Sequence, residues 1–151
     1  MISSQCWERL VVMTNNEDLK TAIVVSRELQ LGLAANAISV LSVTLGVRLS
    51  NLVGDDVTDA SGRVYPGIMK APVPVLQADG PTIARIVDVA VREELFAVPF
   101  SSLAQSCRTY DEYVHRMSKT MSSDLSIVAV ALVGPRKHVN SLVGSLPLLR
   151  G

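Results

Sequence analysis

The amino-acid sequence predicts an α/β protein with four core strands and helices on both faces of the sheet. Hydrophobic residues make up 48% of the chain and charged residues 19%, a balance that requires segments buried on more than one face. Short apolar runs alternate with helical patterns, which is typical of parallel strands joined by right-handed crossovers. The last apolar run, Ile127 to Val133, stops at Gly134-Pro135 and reads as a buried strand.

The first half of the chain predicts a strand, a helix and a long loop. Thr21 to Ser26 is a β-branched run flanked by charge, typical of a strand covered on both faces. Residues 27 to 32 form a turn, and Leu33 to Leu45 continues as a nearly all-apolar helix that Gly46 ends. Asn51 to Gly67 contains three turn signals, so we expect a long loop with a small hairpin.

The second half continues the alternation. Pro72 to Leu76 predicts a short strand, which its prolines restrict to a poorly hydrogen-bonded start or to a sheet edge. Pro81 to Glu94 has the apolar spacing of an amphipathic helix, and Leu95 to Phe100 is another strand. A further helix, capped by Ser101 or Ser102, runs to Met117. The final apolar run has the least polar composition of the strands and is therefore expected in the centre of the sheet.

The chain of 151 residues predicts a single domain, 1-151, at the usual domain size. Residues 1–18 are a lead-in, in which Leu10 to Met13 is either an extra edge strand or an ordered approach to the sheet. The start lacks the pattern of a secretory signal. Leu29 to Val47 carries no formal charge, but a helical part of about a dozen residues would cover roughly 18 Å of an about 30 Å hydrocarbon core. We therefore expect a buried helix, no membrane and a cytoplasmic protein.

Charge and residue counts exclude several classes of function. Fourteen basic and fourteen acidic residues cancel, which argues against a protein that grips nucleic-acid phosphates. The short basic run Arg136-Lys137-His138 reads most simply as a solvated helix start. Cys6 and Cys107 lack the spacing of a zinc site, so no metal is expected. Phosphate-binding and dinucleotide-binding glycine patterns are missing, and we expect no cofactor.

Two groups of residues are candidates for binding a ligand. Asn36 lies near the start of the helix that follows the first strand, where an amide can orient a carbonyl beside free N–H groups. Arg136, Lys137 and Asn140 lie at the start of the helix that follows the last strand. If the two strands are parallel neighbours, all four residues converge on a small anionic ligand. The alternative for Asn36 is a buried amide that ties down the long loop.

Asp59 is a candidate for handling a proton or for lining the rim of that cleft. Ser61 and Gly62 follow it closely. A type I turn, with aspartate first and glycine last, explains the same residues without a ligand. The offsets do not fit a calcium loop.

Two segments resemble the peptidyl-tRNA hydrolase II superfamily: the stretch Ile23 to Asn36, and the ending with Gly134-Pro135 and Gly144 to Leu149. From Ala22 to Arg150 the chain resembles an uncharacterised bacterial branch of it, a domain family of unknown function. The segments that carry this second likeness are Leu33 to Ala37, Asp59 to Gly62, Pro66 to Ile68 and Tyr110 to Tyr113. The resemblance implies a three-layer α-β-α sandwich around a mixed sheet, with three strands parallel and one antiparallel.

The departures from those hydrolases limit what the resemblance implies about chemistry. Gln30 and Gly32 stand where the hydrolases have lysines, Ser39 stands in place of a histidine, and Pro99 to Ser101 replaces an acidic residue and a threonine. We expect an uncharacterised protein that binds a small anionic ligand, with its catalytic status open. One alternative is an ester or amide hydrolase in which Asn36 positions the carbonyl and Asp59 or Lys137 handles the proton. Another is a non-catalytic interaction subunit, and a homo-oligomer remains open.

Overall fold

The computed structural model describes residues 18–150 and contains five α-helices and six strands within that range. The helices are α1 (Leu31–Arg48), α2 (Gly80–Arg92), α3 (Ser102–Ser106), α4 (Tyr110–Met117) and α5 (Arg136–Val143). The strands are β1 (Leu19–Ser26), β2 (Val57–Thr58), β3 (Val64–Tyr65), β4 (Val75–Ala78), β5 (Phe96–Ser101) and β6 (Ile127–Pro135). The possible edge strand at Leu10 to Met13 lies outside the described residues.

Four of these strands form a mixed sheet in the order β4-β1-β6-β5. β1 pairs with β4 in parallel, whereas β6 is antiparallel to both of its neighbours, β1 and β5. The apolar run of β6 is therefore central, as expected. The prediction that it runs parallel to β1 is wrong, because Leu19 at the start of β1 pairs with Pro135 at the end of β6.

Helices cover both faces of this sheet, which confirms the expected layering. On one face α2 and α5 pack against alternate strand residues in a cluster whose fully buried members include Val24, Ile86 and Leu132. On the other face α1 packs over Ile23 and its neighbours in β5 and β6. Because side chains alternate across a strand, each long strand contributes to both clusters. This double burial explains the continuous apolar runs.

Two expected helix boundaries are wrong. Gly46 does not end α1, which continues to Arg48 because the apolar pattern on its inner face continues to Leu45 and then Leu49. The helix capped by Ser101 does not run through to Met117. It ends at Ser106, and a new helix begins when the Thr109 hydroxyl accepts a hydrogen bond from the Glu112 N–H.

The C-terminal tail is docked on the outer edge of β4. The Leu149 N–H donates to the Val75 carbonyl at 2.9 Å, and the Gln77 N–H donates to the Pro147 carbonyl at 2.9 Å. β4 is thus an edge strand of the four-stranded sheet, one of the two positions that its prolines allow, and its outer backbone groups are used by the tail.

Residues 51–72 form a projecting segment that we call the arm. Its strands β2 and β3 make the small hairpin that the turn signals predicted. The base of the arm is closed by hydrogen bonds from the Gly54 N–H to the Ile68 carbonyl and from the Lys70 N–H to the Leu52 carbonyl, both 2.9 Å. At Gly67 a Cβ atom would lie 1.9 Å from the Gly54 carbonyl oxygen, so this close approach requires glycine.

Candidate functional site

The predicted ligand cleft is not formed, because the antiparallel pairing places its two halves at opposite ends of the sheet. Asn36 contacts Gln105 in α3, which follows the end of β5, where Ser101 pairs with Ile127 at the start of β6. Arg136 follows the other end of β6. A strand of that length separates the two ends by about 26 Å. The prediction that Asn36 converges with Arg136, Lys137 and Asn140 is therefore wrong.

Arg136 and Asn140 instead contact residues at the beginning of β1, and Lys137 lies between them in the chain. The Lys20 ammonium donates to the Asn140 Oδ1 at 2.6 Å, across the sheet end where Lys20 pairs with Gly134. We call this group the basic end: Lys20, Arg136, Lys137 and Asn140. Lys20 was missed by the sequence analysis because its role depends on the antiparallel pairing, which no local pattern shows.

Asp18 is the acidic neighbour of the basic end. Its carboxylate accepts two hydrogen bonds from the Arg136 guanidinium, with the NH2 to Oδ1 distance at 2.8 Å, and its carbonyl accepts from the Arg136 N–H. The guanidinium hydrogen bond lowers the pKa of Asp18 and raises that of Arg136. Both side chains are exposed, so the pair orients Arg136 more than it stabilises the fold. One of the three cations is thereby paired with a carboxylate of the described residues.

Asn36 lies on the exposed side of α1, so the alternative of a buried amide tied to the long loop is also wrong. The Gln105 amide donates to the Leu33 carbonyl at 2.9 Å and to the Asn36 Oδ1 at 3.3 Å. Close by in the chain, the Arg116 guanidinium donates to the Ser106 hydroxyl at 2.9 Å and lies 3.4 Å from a Glu112 oxygen. These contacts join α1, α3 and α4. The cation among these residues, Arg116, is paired with the Glu112 carboxylate, so this group is a poor candidate for binding an anion.

The Asp59 carboxylate is held by hydrogen bonds within the arm. One carboxylate oxygen accepts hydrogen bonds from the Ser61 hydroxyl, the Ser61 N–H and the Arg63 N–H, and the other accepts from the Tyr65 hydroxyl. The Gly62 N–H donates to the Asp59 carbonyl at 3.0 Å, which confirms the turn. These bonds, that of the Ser61 hydroxyl foremost, lower the pKa of Asp59 to about 2. Such a carboxylate is a weak base at neutral pH.

Within residues 18–150, no group of three or more histidine, cysteine or acidic side chains lies close enough to hold a metal ion. His115 is exposed on α4, as predicted for a helix surface. A shallow concavity on α2 is lined by Pro81, Ala84, Arg85, Asp88, Val91 and Arg92. All six side chains come from one helix, so the concavity has no opposite wall.

The outer face of α1 is the largest departure from expectation. With 18 residues of mean hydropathy 1.5, this helix is long and apolar enough to cross a membrane by length and composition alone. The expected length of about a dozen residues is therefore wrong. Only Ala34, Ala37, Leu41 and Leu45 are buried, against the sheet, so the prediction of a buried helix holds for one face. The opposite face is exposed and almost uncharged.

A model of a protein family of unknown function matches residues 19–150. The chain belongs to the DUF2000 family. No curated protein matches the sequence. A solved structure of a protein of unknown function from Agrobacterium tumefaciens is similar to the chain, with a TM-score of 0.80, at 17% sequence identity. The alignment covers 88% of this chain and 98% of the Agrobacterium protein. At that identity the likeness shows a shared fold.

The family match confirms the expectation of an uncharacterised domain family. It does not indicate an activity or a ligand. The DUF2000 match begins at Leu19 and ends at Arg150, so it spans the whole described sheet, the arm and the docked tail. Both the basic end and the outer face of α1 lie inside the matched region. Function must therefore be argued from these sites, because a shared fold does not fix an activity.

Proposed function

We propose that this DUF2000 protein binds a small anionic ligand at the basic end. The observation that carries the proposal is the 2.6 Å contact between the Lys20 ammonium and the Asn140 Oδ1, which brings a cation from β1 to the first turns of α5. Lys137 stands three residues before Asn140, on the same side of the helix. Two cations and the nitrogen of an amide thus face one small region.

The local charge supports an anion rather than a cation. Among the described residues, Lys20, Arg136 and Lys137 contribute three positive charges here and Asp18 one negative charge, while the whole chain has no net charge. The first turn of α5 has no acidic side chain and no side-chain cap, so its positive end reinforces the same sign. Because the groups are exposed, binding is expected to be weak and to fall with salt.

The test uses inorganic phosphate and citrate as probes, and thermal unfolding of the full chain as the measurement. We expect both anions to raise the unfolding temperature of the wild-type protein, by mass action. Lys20→Ala with Lys137→Ala removes two cations and leaves the Asp18–Arg136 pair in place, so the rise should be lost. The matched control is Arg85→Ala with Arg92→Ala on α2, which removes the same charge elsewhere and should retain the rise.

Two results would overturn the proposal. One is a wild-type protein whose unfolding temperature does not respond to either anion at low ionic strength. The other is an equal response in the Lys20/Lys137 double variant and in the Arg85/Arg92 double variant, which would show that the anions act on overall charge rather than at the basic end.

A finer placement of the fold is also our proposal: the chain shares the peptidyl-tRNA hydrolase II-like sandwich. By the observed pairings β4, β1 and β5 run one way and β6 the other, which supports a sheet with three parallel strands and one antiparallel strand. The hydrolase chemistry gains no support from this. Asp59 is held in a turn, and Lys137 lies at the opposite end of the sheet from Asn36.

A further inference from the structure

The outer face of α1 has fewer charged residues than a solvent-exposed helix normally carries, and its other polar residues are Asn36, Ser39 and Ser42. Eleven of its 18 residues are exposed, and Arg48, the last one, is the only charged residue among them. Leu31, Val43 and Val47 expose 71%, 68% and 77% of their surface. Leu33, Val40, Val43 and Val47 are all exposed and lie along one stripe of the helix, and an apolar stripe on an exposed helix indicates an interaction surface.

The arm has a defined shape but no core of its own. None of its residues is buried, and it exposes the large apolar side chains of Val57, Val64 and Ile68, the last by 81%. Its shape comes from hydrogen bonds at Asp59 and at the base, and from the close approach at Gly67. Because an isolated two-stranded hairpin is marginally stable in water, packing against another surface would stabilise it.

The arm and α1 lie on the same side of the sheet. Leu52 at the start of the arm and Val73 just after it pack against the apolar cluster under α1. A single helix face contains fewer residues than a stable interface, which involves about 20–30 residues per partner. Eleven exposed residues on α1 and eighteen on the arm reach that size together.

We propose that the outer face of α1 and the arm form the interface of a symmetric dimer of this chain. A two-fold interface brings a surface against itself, which an uncharged helix face permits without unpaired charges. Gly32, Ser39 and Gly46 follow one another down the middle of that face, so two α1 helices can approach closely. The net charge of zero removes long-range repulsion between copies.

Charge also favours a second copy over a lipid surface. On the arm Asp55, Asp56 and Asp59 are exposed beside Arg63 and Lys70, so this surface lacks the cluster of basic residues with which peripheral proteins bind anionic lipids. In a dimer the same aspartates can remain at the solvated rim, where charged groups usually lie.

The experiment is sedimentation equilibrium of the full chain from low to high micromolar concentration. We expect wild-type protein to form a dimer. Val43→Glu places two charges at the centre of the interface and should weaken association by about a hundredfold or more, while circular dichroism stays unchanged because Val43 is exposed. Ile68→Glu should weaken association by a smaller factor, since the arm flanks the centre.

The matched control is Val91→Glu on α2, where the valine is 56% exposed and lies on the other face of the sheet. This variant should associate as wild type does. A wild-type chain that stays monomeric at the highest concentration would overturn the proposal, as would equal association of the Val43 and Val91 variants. Binding of monomers to anionic phosphatidylserine vesicles, or dimerisation only after deletion of residues 1–17, would also overturn it, because each assigns the face to another occupant.

Discussion

The helices α1 and α2 cover opposite faces of one sheet and illustrate two ways of doing so. α2 is amphipathic: it buries Ile83, Ile86 and Ala90 and directs Arg85 and Arg92 to solvent. α1 buries a similar stripe but is apolar on its outer side as well. Packing on the sheet requires a stripe of buried apolar residues on the inner face of each helix. It does not require the exposed apolar side chains on the outer face of α1.

The largest expected effect tests whether the inner faces of α1 and α2 contribute equally to the free energy of unfolding. Leu41 and Ile86 are both almost completely buried. Leu41→Ala and Ile86→Ala should each lower the free energy of unfolding by about 2–5 kcal/mol, since each leaves a cavity in a packed layer. Urea denaturation measures the difference. A loss below about 1 kcal/mol for Leu41→Ala alone would mean that α1 packs loosely on the sheet.

Gly46 offers a test in the opposite direction. It lies within α1, and a Cβ atom there meets no other atom within 4 Å. Gly46→Ala should therefore raise the free energy of unfolding by about 0.5–1 kcal/mol, because alanine loses less backbone entropy in a helix. Denaturation at protein concentrations low enough to keep the chain monomeric checks this. A destabilised variant would contradict the open space around this position.

The amino ends of the two helices also differ. Asp79 caps α2 by accepting a hydrogen bond from the Thr82 N–H, whereas Gln30 makes no such bond at the start of α1. Gln30 already has the extended backbone that a cap requires. Gln30→Asp should thus stabilise the protein by about 0.5–1 kcal/mol, as measured by urea denaturation. Gln30→Ala is the control and should be nearly neutral.

The smallest expected effect concerns the charge of that cap. Hydrogen bonds from Thr82 lower the pKa of Asp79, so its stabilising charge is fully present above the usual carboxyl range near pH 4 and is lost as pH falls through the lowered pKa. Asp79→Asn keeps a capping oxygen without the charge. Its unfolding temperature should lie slightly below that of wild type at neutral pH and converge with it in acid. A gap that widens in acid would contradict this sign.

The elements were largely predictable, because burial on one or two faces leaves a pattern in the sequence. The strands around Ile23 and Val130 and the amphipathic spacing in α2 follow directly from that pattern. The direction of β6 did not, since a fully buried apolar run looks the same in parallel and antiparallel pairing. Because β6 runs antiparallel to β1, Arg136 lies at the far end of the sheet from Asn36, and the predicted cleft does not form.

The residues of the basic end could be predicted only in part, because some of their partners are distant in the sequence. Asn140 and Lys137 were singled out because they follow a strand, which is a local signal. Lys20 and Asp18 are 120 and 118 residues away from their partners along the chain. A lysine and an aspartate just ahead of the predicted strand Thr21 to Ser26 carry no signal of such partners, so only the pairing of β1 with β6 reveals them.

The central pairing of this sheet joins the first described strand to the last one, and the tail after α5 then lies along β4. During synthesis on the ribosome, Leu19–Ser26 is therefore made long before Ile127–Pro135 becomes available to it. Until then β1 can pair only with β4, and its other edge stays unpaired. The sheet is thus completed only when residues 127–135 have left the ribosome, and a nascent chain halted before Ile127 would keep an open edge exposed to chaperones.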